Sequence, residues 1–149
     1  MRGPCGLRRV GPRRNHPDLR RWLDMALNRR AQALAQFGED RAASHVEALG
    51  WRVLERNWRC RSGEVDMVAY EPEADTVVFV EVKCRSGYAF GHPLEAITEA
   101  KAVRLYGLAV EWLRAHDVHA ADVRVDAIGI VARDGQSVEL THVRGIGEP

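Results

Sequence analysis

The chain has 149 residues, enough for one domain with a buried core. Twenty-two basic against 21 acidic residues give a formal net charge of +1, so an anionic partner cannot be held by bulk charge alone. No apolar run approaches the ~18 residues of a membrane span, and the basic N-terminus lacks the apolar stretch of a signal peptide.

The near-neutral total hides an asymmetry. Residues 1–37 carry nine arginines against Asp18 and Asp24, which leaves the remainder with 13 basic and 19 acidic residues, a net of about −6. Residues 1–28, with Pro4, Pro12, Pro17 and most of those arginines, show no sustained periodicity and read as a disordered arm. Such an arm is either a nucleic-acid-binding tail or an unstructured extension, with Met25 a candidate translation start. From about 30 to 49 the spacing of Ala42, Ala43, Val46 and Leu49 predicts a helix closed by Gly50. "WRVLERNW" (51–58) alternates as a strand. "EVDMVAY" (64–70) and "TVVFVEVKC" (76–84) are two further strands joined by "EPEAD" as a hairpin. Residues 95–116 predict a second helix, with apolar stripe Ile97, Leu105, Leu108 and Trp112. "DVRVDAIGIVAR" and "QSVELTHV", separated by Asp134-Gly135, predict a closing hairpin. The order α-β-β-β-α-β-β implies an α/β domain with a central mixed sheet flanked by helices.

The chemistry concentrates in the first hairpin. With a two-residue loop at Glu73-Ala74, paired residues sum to 147, so Asp66 faces Glu81 and Glu64 faces Lys83 with Cβ atoms ~5 Å apart. Val65, Met67 and Ala69 would meet Val82, Val80 and Val78 on a wholly apolar opposite face. Like charges across a strand pair destabilise a sheet, and two half-buried carboxylates ionise together only with a cation between them. Mg²⁺ or Mn²⁺ suits such a hard-oxygen pair. A lysine two residues beyond a ligand reaches the same pocket and can orient a water or offset phosphate charge. Lys83 and Lys101 are the only lysines beside twenty arginines. Glu39 falls on the apolar stripe of the first helix, where a carboxylate needs a partner. Lys101 and Arg104, on the second helix, are positioned to meet phosphates or to remain solvated. Asp126, inside "VRVDAIGIV", is either a further site residue or an arginine's partner. Trp51, Trp58 and Trp112 read as core or edge packing, and the six histidines lack ligand spacing. The three cysteines (Cys5, Cys60, Cys84) show no CxxC or Cys/His metal spacing, so the expectation is a reducing, cytoplasmic compartment.

"GEDRAASHVEALGWRVLERNWRCRSGEVDMVA", "VVFVEVKCRSGYAFGHPLEAITEAKAVRL" and "RVDAIGIV" together resemble the YraN-like family of predicted endonucleases over residues 30–145. That family is grouped with the restriction-endonuclease-like fold, which includes archaeal Holliday junction resolvases and carries a split D…E-x-K motif. The resemblance implies that residues 29–149 form a metal-dependent nuclease domain acting on nucleic acid, with DNA favoured over RNA, although the residues themselves do not choose between the two. Asp66 and Glu81 would be metal ligands, the Val82 backbone carbonyl a further ligand, Lys83 the water-positioning lysine, and Glu39 the first-helix glutamate of the resolvase-like branch. Cys84 stands where the family commonly has a small hydroxyl residue, which leaves the motif intact. Cutting two strands as resolvases do would imply a homodimer. A repair-complex adaptor on a nuclease fold, binding nucleic acid without hydrolysing it, is the alternative, and an ion-pair cluster of purely structural use is the third reading.

Overall fold

The computed structural model describes residues 17–133 and 138–147, for Pro17 and Asp18 the backbone alone. Its elements are α1 (Pro17–Ala48), β1 (Arg52–Cys60), β2 (Gly63–Glu71), β3 (Thr76–Arg85), a 3₁₀ turn (Pro93–Ala96), α2 (Glu99–His116), β4 (Asp122–Val131) and β5 (Glu139–Val143). The order of helices and strands is the expected one.

Three local differences have physical causes. First, α1 starts at Pro17, so residues 17–28 of the expected arm are helical, while residues 1–16 lie outside the described residues. Proline suits a first helical turn, and no proline or glycine interrupts residues 18–37, which are rich in Leu, Ala, Arg and Gln. Leu19, Trp22, Leu23, Ala26 and Leu27 recur at i, i+3, i+4, i+7 and i+8, a helical spacing that the arm reading passed over, although Leu19, Trp22, Leu23 and Leu27 stay exposed. The chain divides into two compact units between Ala31 and Gln32. Second, Leu49 is exposed instead of core, because the helix closes just before it. Gly50 (φ +85°) donates to the Glu47 carbonyl and Trp51 to that of Val46 in a Schellman arrangement. Third, the 95–116 helix is two pieces. His92 caps the 3₁₀ turn, Thr98 accepts from the Lys101 amide to cap α2, and Ile97 lies between them.

The sheet order is β1-β2-β3-β4-β5, antiparallel throughout except for β3 and β4, which run parallel. A parallel pair needs a long crossover, and the 3₁₀ turn with α2 supplies it. The expected turn at Asp134-Gly135 lies outside the described residues; β5 pairs antiparallel with β4 from Ala127–Val143 to Val131–Glu139. One face of the sheet (Met67, Ala69, Val78, Val80, Val82, Ile128, Ile130) buries Ala42, Ala43 and Val46 of α1. The other (Val65, Val68, Val77, Phe79, Val125) buries Leu105, Leu108, Ala109 and Trp112 of α2. Val65 therefore lies opposite to its expected face. It has crossed over because the strand is distorted at Asp66.

Candidate active site

The β2–β3 register has paired residues summing to 147, from Glu71–Thr76 to Met67–Val80, and there the ladder stops. Asp66–Glu81 and Glu64–Lys83 are thus not ladder pairs, which corrects the expected geometry. On the other side β1 pairs Arg56 with Met67 and Trp58 with Val65, leaving Asn57 and Asp66 unpaired between them. Asn57 sits at φ +53°, a left-handed conformation that asparagine tolerates better than most residues. Where the ladder ends, the side chain of Asp66 takes over: its Oδ2 accepts a hydrogen bond from the Val82 amide at 2.8 Å. In an extended strand, one residue's amide and carbonyl point to the same neighbour. The Val82 carbonyl therefore faces β2 as well, beyond the last backbone pair.

Glu81 and Lys83 project from β3 toward the α2 side and pair with each other, Nζ to Oε1 at 2.9 Å. Asp66 Oδ1 and Glu81 Oε2 take no protein hydrogen bond among the described residues. Burial pushes the Asp66 carboxyl up to about 7; the Glu81 charge adds to this, while the Val82 amide and Lys83 oppose it. Burial also disfavours the Lys83 ammonium, but its bond to Glu81 and the nearby charges of Glu81, Asp66 and Glu64 outweigh that and hold it above its ordinary value.

A cavity of about 360 Å³ gathers the sequence candidates: Glu39, Glu64, Asp66, Glu81, Val82, Lys83, Lys101 and Arg104 all line it. Their roles in it differ. Glu39 Oε2 accepts from Asn57 Nδ2 at 3.1 Å and lies 3.9 Å from the Arg56 guanidinium, which is held more closely by Asp40 at 2.7 Å. Glu39 thus has its partner, though neither a metal nor Lys83 is needed to supply it. Glu64 is largely exposed and pairs with Arg59 at 3.0 Å instead of Lys83. Lys101 Nζ donates to the Ala96 carbonyl, and Arg104 Nη2 to the Ser62 carbonyl, so both cations are tethered at the rim. Asn57 was not found from sequence; an asparagine inside an otherwise regular strand pattern is the one signal that could have marked it. Cys84, unexplained in the sequence, sits against Gly38 of α1. A Cβ at Gly38 would lie 2.5 Å from the Cys84 Cβ. This close approach seats Glu39, the next residue, at the cavity.

The donor chemistry fits a hard divalent cation. Two carboxylates lining one cavity, one of them held neutral mainly by burial, each with an uncommitted oxygen, and a neighbouring carbonyl suit Mg²⁺ or Mn²⁺ with several waters retained. Among the described residues no group of three or more His, Cys, Asp or Glu gathers for a metal, so this set is two carboxylates with backbone support.

The family model described as Uncharacterised protein family UPF0102 matches residues 38–130, a span that holds every one of these candidates. The chain belongs to this family. It is the YraN-like family that the motifs resemble. The UPF0102 protein of Beutenbergia cavernae is 47% identical over 119 residues, 80% of this chain and 99% of its own length. That of Clavibacter michiganensis is 50% identical over 113 residues, 74% of this chain and 94% of its own. That of Mycolicibacterium smegmatis is 46% identical, over 76% of this chain and 92% of its own.

A second buried polar cluster lies on the α1 side of β4, with Asp126, Arg124, Glu71 and Trp51 inside the UPF0102 span and His142, Arg144 and Gly145 beyond it. Asp126 is fully buried and accepts from Arg124 (2.7 and 3.1 Å), from the Gly145 amide (3.0 Å) and through its bond with His142 Nε2 (2.8 Å). Arg124 also meets Glu71 at 2.8 Å, and both Arg124 and Arg144 stack over Trp51. Of the two readings of Asp126, the arginine's partner is correct. Its histidine, contributed by β5, could not be read from local spacing. No helix among the described residues is long and apolar enough to cross a membrane.

Proposed function

We propose that this UPF0102 chain is a metal-dependent nuclease that hydrolyses phosphodiester bonds in DNA on a restriction-endonuclease-like fold. One observation carries the reading: Asp66 and Glu81 share a cavity with Lys83, and burial beside Glu81 lifts the Asp66 carboxyl to about 7. Lys83 pairs with Glu81, but Asp66 has only the Val82 amide, and a divalent cation shared with Glu81 would let it ionise. When bound, Mg²⁺ or Mn²⁺ would polarise a phosphoryl oxygen and lower the pKa of a water.

The chain's own residues have separable tasks. Asp66, fixed by the Val82 amide, and Glu81 would hold the cation, with the Val82 carbonyl beside them. Lys83 stays an ammonium at neutral pH, so it donates hydrogen bonds and does not act as the base. It orients the attacking water or screens a phosphoryl oxygen. Glu39, steadied by Asn57, supports the carboxylate side. Lys101 and Arg104 at the rim meet the flanking phosphates. Cutting both strands of a branched substrate would need a second copy of the chain.

The test is cleavage of branched, flapped and single-stranded DNA by the full chain with Mg²⁺ or Mn²⁺. Lys83→Ala and Asp66→Ala should each lower the rate by roughly 10²–10⁴-fold. Binding without cleavage, indifferent to Asp66→Ala, would replace the enzyme with an adaptor. No metal binding by calorimetry and no nucleic-acid binding would sink both.

A further inference from the structure

Phe90 is the most exposed large apolar side chain among the described residues, at 87%. Single exposed apolar residues are ordinary, but this one is held out by its surroundings. Tyr88 to Gly91 close a turn, with the Gly91 amide donating to the Tyr88 carbonyl at 2.9 Å and Gly91 at φ +84°. Arg85 Nη1 donates to the Phe90 carbonyl at 2.7 Å and ties the turn to the end of β3. Tyr88 is fixed on both sides, its hydroxyl on Glu139 and its ring under Arg133, 4.9 Å from the centroid. The ring of Phe90 is thus displayed by a loop whose neighbours are committed elsewhere.

Beside it lies a cavity of about 530 Å³ lined by Leu34, Cys84, Arg85, Ala89 and Phe90 among others. It combines an apolar wall with a cation. Cys84 belongs to the α1 face of β3 and Lys83 to the other, so this cavity and the carboxylate cavity flank the same strand end. Leu34 and Ala35, adjacent on α1, line one cavity each. Arg85 is about 7 Å along the strand from Lys83. A nucleotide presents the matching chemistry, a flat apolar face joined to an anion. A protein partner would need roughly 800 Å² of complementary surface, whereas the loop offers one ring and a small recess.

We infer that the loop after β3 is a base-stacking subsite, in which Phe90 takes the face of an unpaired nucleobase and Arg85 and Arg133 meet its backbone. The inference rests on the nuclease reading for its substrate and adds the preference for unpaired or branched DNA. Stacking on an aromatic ring tolerates any base, so the subsite selects strand state rather than sequence.

The experiment measures binding of the full chain to oligo(dT) and to a blunt duplex of equal length, by anisotropy, with cleavage followed in parallel. Phe90→Ala should weaken oligo(dT) binding about tenfold or more and leave duplex binding within twofold. Phe90→Trp should retain binding and show quenched emission when oligo(dT) is added. An unchanged melting temperature in Phe90→Ala excludes misfolding, as expected for an exposed ring. Asp66-dependent cleavage with Phe90→Ala binding oligo(dT) as tightly as the wild type overturns the subsite and spares the nuclease. Phe90-dependent binding without cleavage does the reverse. No binding to either DNA overturns both.

Discussion

Asp66 and Asp126 are two aspartates on strands of one sheet with opposite electrostatic outcomes. Asp126 is fully buried, and burial works against its charge. Hydrogen bonds from His142, Arg124 and the Gly145 amide outweigh that and leave its pKa lowered. Burial works against the Asp66 charge too, but it receives one backbone amide and faces a second carboxylate, so the burial is not offset and its pKa rises to about 7. Burial alone therefore does not decide the charge; the number of donors does. Asp126 takes four hydrogen bonds from Arg124, His142 and the Gly145 amide, whereas Asp66 takes one from the Val82 amide and Glu81 is paired with Lys83.

The sharpest way to break this contrast is to delete each carboxylate. Asp126→Ala leaves Arg124 and His142 buried without their acceptor and should destabilise by about 3–5 kcal/mol in urea. Asp66→Asn should do the opposite above neutral pH. A folded pKa above the unfolded one (~3.9) means that the folded chain retains a proton which the unfolded chain has lost. The wild type's stability therefore falls as pH rises from about 4 to 7. Asp66→Asn removes that slope, gaining roughly 2 kcal/mol at pH 8 once solvent contact is allowed for, and little at pH 4. Mg²⁺ should restore the wild type at pH 8 and leave Asp66→Asn unmoved. Equal destabilisation by both substitutions at every pH would make the two clusters alike.

The same contrast shows what the sequence could carry. The hairpin register follows from a turn and an alternation, both local, so Met67–Val80 through Glu71–Thr76 were legible. Convergence of Asp66, Glu81, Lys83 and Glu39 on one cavity was legible too, because strand alternation and a helical stripe each fix a face. The end of the ladder was not, since it depends on Asn57 of β1 turning left-handed opposite Asp66. That distortion moved Val65 to the α2 face and freed Glu64 to pair with Arg59. His142 on Asp126 was equally out of reach, because β5 reaches β4 only through tertiary pairing.

A smaller effect tests how the open cluster is held in place. Replacing a helical glycine by alanine ordinarily gains about 1 kcal/mol. At Gly38 the new Cβ would sit 2.5 Å from the Cys84 Cβ, between two rigid backbones. The clash should reverse the sign, for a net loss of about 1–3 kcal/mol by urea denaturation. Cys84→Gly in the same chain should recover part of it, a coupling that a double-mutant cycle reads directly. Gly38→Ala as stable as the wild type would mean that α1 is free to move off β3, and that Glu39 is not seated by this contact.

The smallest effect separates backbone from side chain at the point where the two aspartates diverge. Asn57 has two tasks, a left-handed backbone and a 3.1 Å bond to Glu39. Asn57→Gly keeps the first, since glycine adopts positive φ without a steric penalty, and loses the second. Stability should change by less than about 1 kcal/mol, while metal affinity or single-turnover cleavage should fall about tenfold, as for other groups that steady a ligand from behind. Asn57→Ala loses both and adds about 1–2 kcal/mol of backbone strain. A functional loss in the alanine variant alone would assign Asn57 to the shape of β1. Loss in both, with instability only in the alanine variant, ties Glu39 to the carboxylate pair and makes the left-handed turn the device that keeps Asp66 out of the ladder.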